Sequence, residues 1–154
     1  MPIPYIQRTR ERYASYPPYR WTVNTDAPWT PLAKPIAQCR VALLSSGGFY
    51  LPEQPPFDDR DVAHRRIPVT TPLSTLRVHH HGYRDDDADK DPNCVFPLDR
   101  LHEMAAAGEI GALVDPAFSF VMTYQASRDI DERGPAIAEE LRALGAEAAL
   151  LVPV

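Results

Sequence analysis

At 154 residues, with a formal charge of −5 and a pI near 5.5, the chain can bury one core but is too acidic for nucleic acid or an anionic membrane as main partner. Cys39 and Cys94, with no CxxC pair, exclude a disulfide framework or a cysteine zinc knuckle and fit a reducing compartment. The N-terminus MPIPYIQRTRER has no signal-like apolar core, and no apolar run approaches the ~18 residues that span a bilayer, so a soluble cytoplasmic protein is expected.

Residues 1–38 hold seven prolines, four tyrosines and both tryptophans. They are too aromatic for disorder and too proline-rich for a helix beyond Ile6 to Ser15, which predicts an extended arm before an α/β domain over 39–154. Arg40-Val-Ala-Leu-Leu-Ser45 is a continuous apolar run of strand length, as in a parallel strand covered on both faces. Ser45-Ser46-Gly47-Gly48 follows at its C-terminal end, where open α/β sheets bind ligands and where glycine lets backbone amides come close. Neither GxGxxG nor a Walker pattern is present, and Phe49-Tyr-Leu-Pro cannot open a phosphate-binding helix, so the glycines read either as a structural turn or as a ligand-lining loop. Asp58 to Arg66 mixes both charges and reads as a solvated turn or short helix, with His64 on the surface.

The stretch Ser74 to Leu101, STLRVHHHGYRDDDADKDPNCVFPLDRL, concentrates the polar chemistry. Thr75 to His79 alternates weakly and predicts a strand that delivers the histidines to a sheet edge. In extended geometry His79 and His81 share a face and His80 points away, so the first pair can chelate a metal if His64, Cys94, His102 or an aspartate supplies a third ligand. Acid/base or substrate contact by one histidine, and a purely structural role, are the other readings. Asp85, Asp86, Asp87, Asp89 and Asp91 read as a solvated acidic loop. Their D-x-D-x-D spacing fails as a calcium loop, because Lys90 stands where glycine is needed and Phe96 where a glutamate is needed. Asp91-Pro92-Asn93 reads as a turn. Pro97 to Ala107 reads as a helix with Leu98, Leu101, Met104 and Ala105 as its apolar stripe and Gly108 as its stop.

Ile110 to Val114 predicts a strand ended by Asp115-Pro116, and Phe118 to Tyr124 is apolar without a decisive period. A helix from Pro135 to Leu144, stopped by Gly145, and a buried-type strand over Ala146 to Val154 complete a βαβ pattern. The fold expected is α/β, a Rossmann-like three-layer arrangement with a short, mostly parallel sheet and an exposed edge at 147–153 that favours oligomers.

The runs LRVHHHGYRDDDADKDPNCVFPLDRL and AAGEIGALV, with VALLSSGG and GAEAALLVPV, resemble the selenoprotein B group of glycine, sarcosine, betaine and D-proline reductases, and within it the short D-proline reductase subunits. The resemblance covers Arg40 to Val154. It implies reductive cleavage of a carbon–nitrogen bond in a small amino acid, by a selenocysteine or cysteine acting beside a pyruvoyl group on a partner subunit. It also implies that the redox residue stands just past Val154, followed by a Pro-x-Cys-His-like segment. The sequence stops before that position, as it would if a selenocysteine codon were read as a stop, and no catalytic redox residue is expected within it. Substrate-side residues are then expected at Ser45, Ser46, Gly47, Gly48, His79, His80, His81, Asp91 and Asn93. A non-catalytic metal- or small-molecule-binding α/β module, using the cluster of His79 to His81 and the aspartates with His79 and His81 as candidate metal ligands, is the alternative.

Overall fold

The computed structural model describes residues 5–16, 25–27, 29–58, 61, 63–80, 83, 86–121 and 127–154, by the backbone alone at 5 and 127–132. The chain divides into two compact units, Met1–Pro31 and Leu32–Val154. In the first, Tyr5–Arg12 is a helix (α1) whose last turn carries Arg10 and Arg12, the sign that suits the carbonyl end of a helix.

In the second unit the order is β1 (Arg40–Ser45), β2 (Phe49–Tyr50), β3 (Arg65–Ile67), β4 (Arg77–Val78), α2 (Asp86–Lys90), α3 (Leu98–Ala106), β5 (Ala112–Leu113), β6 (Ala117–Ser119), α4 (Ser127–Ala143) and β7 (Ala148–Val152). β1 is the hub. Along one edge it pairs in parallel with β7, from Val41 opposite Ala148 to Ser45 opposite Val152. Along the other it pairs in parallel first with β5, Val41 opposite Leu113, and then with β6, Leu44 opposite Phe118. β6 pairs antiparallel with β3, which closes a five-stranded, mostly parallel sheet. β2 and β4 form a separate antiparallel pair.

Alternation along β1 sends its side chains into two cores. Val41 and Leu43 join Phe49, Phe96, Leu98 and Leu101, the last two from α3. Ala42 and Leu44 join Val114, Phe118 and Leu141, with Ile137 of α4 and Leu144 just past its end packed against them. Helix, sheet and helix are thus stacked as three layers, and the apolar run Val41 to Leu44 is covered on both faces as a parallel strand requires. Each fully buried Leu or Phe contributes roughly 1.5–3 kcal/mol of transfer free energy.

Both helix stops behave as the sequence suggests. Glu109 N donates to Met104 O and Gly108 N to Ala105 O; Ala146 N donates to Leu141 O and Gly145 N to Arg142 O. These are two Schellman motifs, with glycine at φ +74° and +79°.

Several expectations need correction. Arg65 and Arg66 are in a strand, not a solvated turn: the Arg65 guanidinium lies 4.3 Å over the Phe57 ring, pairs with Asp61 and donates to Pro55 O, which satisfies it while buried. Pro135 lies inside α4 rather than at its start. A proline removes one backbone donor, and the turns after it are held by Ile137, Leu141 and Leu144 against the sheet. The strand predicted over Thr75 to His79 shrinks to Arg77–Val78, because Leu73–Thr75 closes a 3₁₀ turn. Asp86–Lys90 is a helical turn anchored by the buried Ala88, not a loop; Asp85 lies outside the described residues. Met104 is exposed rather than part of the α3 core stripe. The run at Phe118 resolves as strand at its start, on the same edge of β1 as β5, after a cis Asp115–Pro116 bond. Among the described residues no helix is long and apolar enough to cross a membrane.

Glu147 clips the start of β7 to the start of β1: its Oε2 accepts from Arg40 N at 3.0 Å and its Oε1 meets Lys34 Nζ at 2.8 Å. The bond from Lys34, then that from the Arg40 amide, holds its carboxyl below the ordinary glutamate range. A lowered folded-state pKa means stability that is present above the unfolded pKa and lost as pH falls through the folded one. Glu147→Gln is therefore expected to lower the denaturation midpoint at neutral pH, with the difference from wild type vanishing in strong acid. Urea melts of both proteins across that range check it.

Candidate functional site

β1 runs between neighbours on both sides, so the turn after it leaves from the middle of the sheet's C-terminal edge. Every amide of that turn is already engaged. Ser46 N donates to Val152 O at 3.0 Å, Gly47 N to Ser45 Oγ at 3.0 Å, Gly48 N to Phe120 O at 3.2 Å and Phe49 N to Ser119 Oγ at 2.8 Å. The turn presents no row of free N–H groups, so its glycines serve close packing of protein on protein. What it can offer a ligand comes from side chains set around it.

The closest approach is at Gly48. It sits at φ +75°, and a Cβ there would lie 2.2 Å from the carbonyl oxygen of His79. His79 N donates to Gly48 O at 3.0 Å, continuing the β2–β4 ladder to the turn itself. The histidine segment is therefore brought to the end of β1 by this small separate ladder. A second tie follows: Tyr83 Oη donates to Gly47 O at 2.8 Å, and the His80 and Tyr83 rings stack 4.6 Å apart at 40°. His79 and His80 are both half-buried, and His81 lies outside the described residues.

The two serines have different duties. Ser45 is buried, donates to Val95 O at 2.6 Å and accepts from Gly47 N, so its hydroxyl is used up in holding the turn. Ser46 Oγ accepts the amide of Val154 at 2.9 Å. The chain at Val154 is thus fastened to the same Ser45 to Gly48 turn that pairs with His79 two residues further on.

Asp91 and Asn93 are engaged next door. Asp91 Oδ1 accepts from Asn93 N and caps the 3₁₀ turn Pro92–Cys94. Asn93 Oδ1 accepts from Asp99 N at 3.2 Å and its Nδ2 donates to Asp99 Oδ2, so it ties that turn to the first turn of α3. Through Val95 O on Ser45, and Phe96 stacked 5.4 Å from Phe49, this bend supports the site from below. His64 and His102 serve elsewhere: His64 Nε2 lies 3.3 Å from Glu140 Oε2 of α4, and His102 Nε2 lies 2.7 Å from Val69 O. Among the described residues no group of three or more His, Cys, Asp and Glu side chains is placed to hold a metal ion.

Neither cysteine is set up as a nucleophile. Cys39 is buried, with its thiol toward the carbonyls of Lys34 and Pro35 at 3.6 and 3.5 Å. Cys94 is exposed, but its thiol is pushed above the ordinary range by partial burial and then by the charges of Asp91 and Asp87, opposite to what an activated thiol needs. Tyr83, Ser119 and the Val95 carbonyl are supports of this turn that sequence reading missed. A tyrosine two places past the histidines and a serine inside Phe118-Ser119-Phe120 were the available signals.

Two outcomes are expected. Gly48→Ala forces a β-carbon onto the His79 carbonyl and costs more than about 3 kcal/mol, while Gly108→Ala, with the same sign of φ and open space, costs about 1 kcal/mol; thermal melts of the pair separate contact from backbone strain. Asp91→Asn keeps the capping oxygen and removes a charge, so Cys94 alkylates faster at neutral pH, as rates with iodoacetamide will show.

The family model for glycine/sarcosine/betaine reductase selenoprotein B matches residues 18–154. D-proline reductase subunit gamma of Acetoanaerobium sticklandii is 33% identical over 125 residues, 80% of this chain and 52% of that protein. Glycine reductase complex component B subunit gamma of Carboxydothermus hydrogenoformans is 31% identical over 130 residues, 80% of this chain and 30% of that protein. The chain thus spans about half or less of these curated relatives, and no solved structure matches it. With the match running through the β1 turn, the histidine segment and β7 alike, the chain belongs to the glycine/sarcosine/betaine reductase selenoprotein B family.

Proposed function

We propose that the chain supplies the substrate side of a selenoprotein-B-type reductase, which breaks a carbon–nitrogen bond of a small amino acid such as D-proline, glycine, sarcosine or betaine in a two-electron, two-proton reduction, the electrons coming from the redox selenol or thiol and a second thiol, which are oxidised together to a selenenyl sulfide or disulfide. The observation that supports this reading is the bond from Val154 N to Ser46 Oγ, which fastens the end of β7 to the turn that also pairs with His79. A selenocysteine or cysteine following Val154 would emerge next to Ser46, at the turn with which His79 also pairs. A selenol or low-pKa thiol is largely ionised near neutral pH, and a protonated histidine beside it stabilises the anion and returns a proton to the leaving nitrogen.

In this reading His79 and His80 provide charge and protons, Ser46 orients the redox residue, and Tyr83 keeps the histidines at the turn. Ser45, Gly47 and Gly48 shape the floor of the substrate site, and Asp91 and Asn93 hold the bend that supports it. The pyruvoyl group belongs to another subunit, with which this one assembles in the cytoplasm. The relatives named as subunits gamma of reductases favour such an assembly, and the elevated thiol pKa of Cys94 favours a redox residue other than the two cysteines present.

The test is to read the coding sequence 3′ of the Val154 codon. An in-frame UGA or cysteine codon, followed by a frame encoding a Pro-x-Cys-His-like segment, is the expected result. A frame that continues with neither selenocysteine nor cysteine at that place overturns the reading, as does substrate reduction by the 154-residue chain alone.

A further inference from the structure

β7 is an outermost strand: among the described residues it pairs with β1 alone. A parallel strand is ordinarily covered on both faces, and β1 is. One strand over, about 4.8 Å away, the cover thins: Ala148 and Val152 still pack partly against the core, and the residues between them do not. Leu150 stands opposite Leu43 in the register and Leu151 opposite Leu44. Leu43 and Leu44 are 1% and 6% exposed, whereas Leu150 and Leu151 are 38% and 66% exposed, on the α3 side and the α4 side respectively.

This is not the fraying of a loose end. β7 is clipped at its start by Glu147 to Arg40 N and past its end by Val154 N to Ser46 Oγ. An ordered outermost strand with an exposed leucine on each face, one of them two-thirds exposed, is a template for another strand and its helices. A second copy joined edge to edge about a two-fold axis normal to the sheet would run antiparallel to β7 and bring no crossover helix with it. A parallel strand arrives with a crossover of a dozen or more residues, usually a helix, that lies on a sheet face.

The relatives contain chain of the required length, since this one spans only 52% and 30% of them. We propose that β7 is the docking surface for the polypeptide these relatives carry outside the matched region. It adds a parallel strand to the outer edge of β7 and places apolar helical cover over Leu150 on one face and Leu151 on the other. This assignment is independent of any redox chemistry.

To test it, the 154-residue chain is co-expressed with the part of the Acetoanaerobium sticklandii subunit that it does not match, and association is measured by sedimentation and by amide exchange across Ala148–Val152. The expected result is a one-to-one complex in which the β7 amides that face away from β1 become protected. Leu151→Lys, at a site exposed in the chain alone, is expected to leave its melting temperature unchanged and to weaken the complex by about tenfold or more. Failure to co-purify overturns the proposal. So does a complex indifferent to Leu151→Lys, or a self-associated chain that Leu151→Lys turns into a monomer.

Discussion

The structure depends on the double engagement of β1. Its backbone is paired along both edges and its side chains are packed on both faces, so among the described residues no other strand has its position fixed by so many independent constraints. Everything of chemical interest is referred to its C-terminal end. The Ser45 to Gly48 turn inherits the rigidity of the strand before it, and the turn in turn locates the histidine segment through Gly48 and Tyr83 and the end of β7 through Ser46. A small ladder of two-residue strands suffices to bring His79 there because its register is tied to a fixed point rather than to another loop.

The same constraint explains why the glycines are where they are. A ligand-binding glycine loop leaves its amides unpaired and aimed outward. Here the amides are consumed by Val152, Phe120, Ser45 and Ser119, and the missing side chain at Gly48 makes room for the His79 carbonyl. What this edge can offer a ligand therefore comes from side chains set around a closed turn, a different use of the residues that a Rossmann-type sheet places there.

How much of this could be read in advance follows from the range of the interactions concerned. The β1 run, the α3 helix and both Schellman glycines are set by neighbours within a few residues, and their patterns showed in the sequence. The family resemblance, carried by the histidine and aspartate run, was equally local. Arg65 was misread because its burial depends on Phe57 and Asp61 meeting it in space. Pro135 was misread because a proline is a start signal only where nothing beyond it holds the helix, and here the sheet does. The role of Ser46 depends on Val154, at the far end of the domain, and no local pattern encodes a contact of that separation.

The hydroxyl of Ser45 has a use beyond architecture. It gives its proton to Val95 O at 2.6 Å, takes one from Gly47 N, and sits wholly shielded from solvent, so its orientation has a single solution. A hydroxyl proton so held exchanges with water only when the bend carrying Val95 lifts away from the turn. Its resonance would act as a local clock for opening of the sheet edge, separating motions of the α2–α3 side from those of the histidine segment, whose ties to the same turn run through Gly47 O and Gly48 O instead.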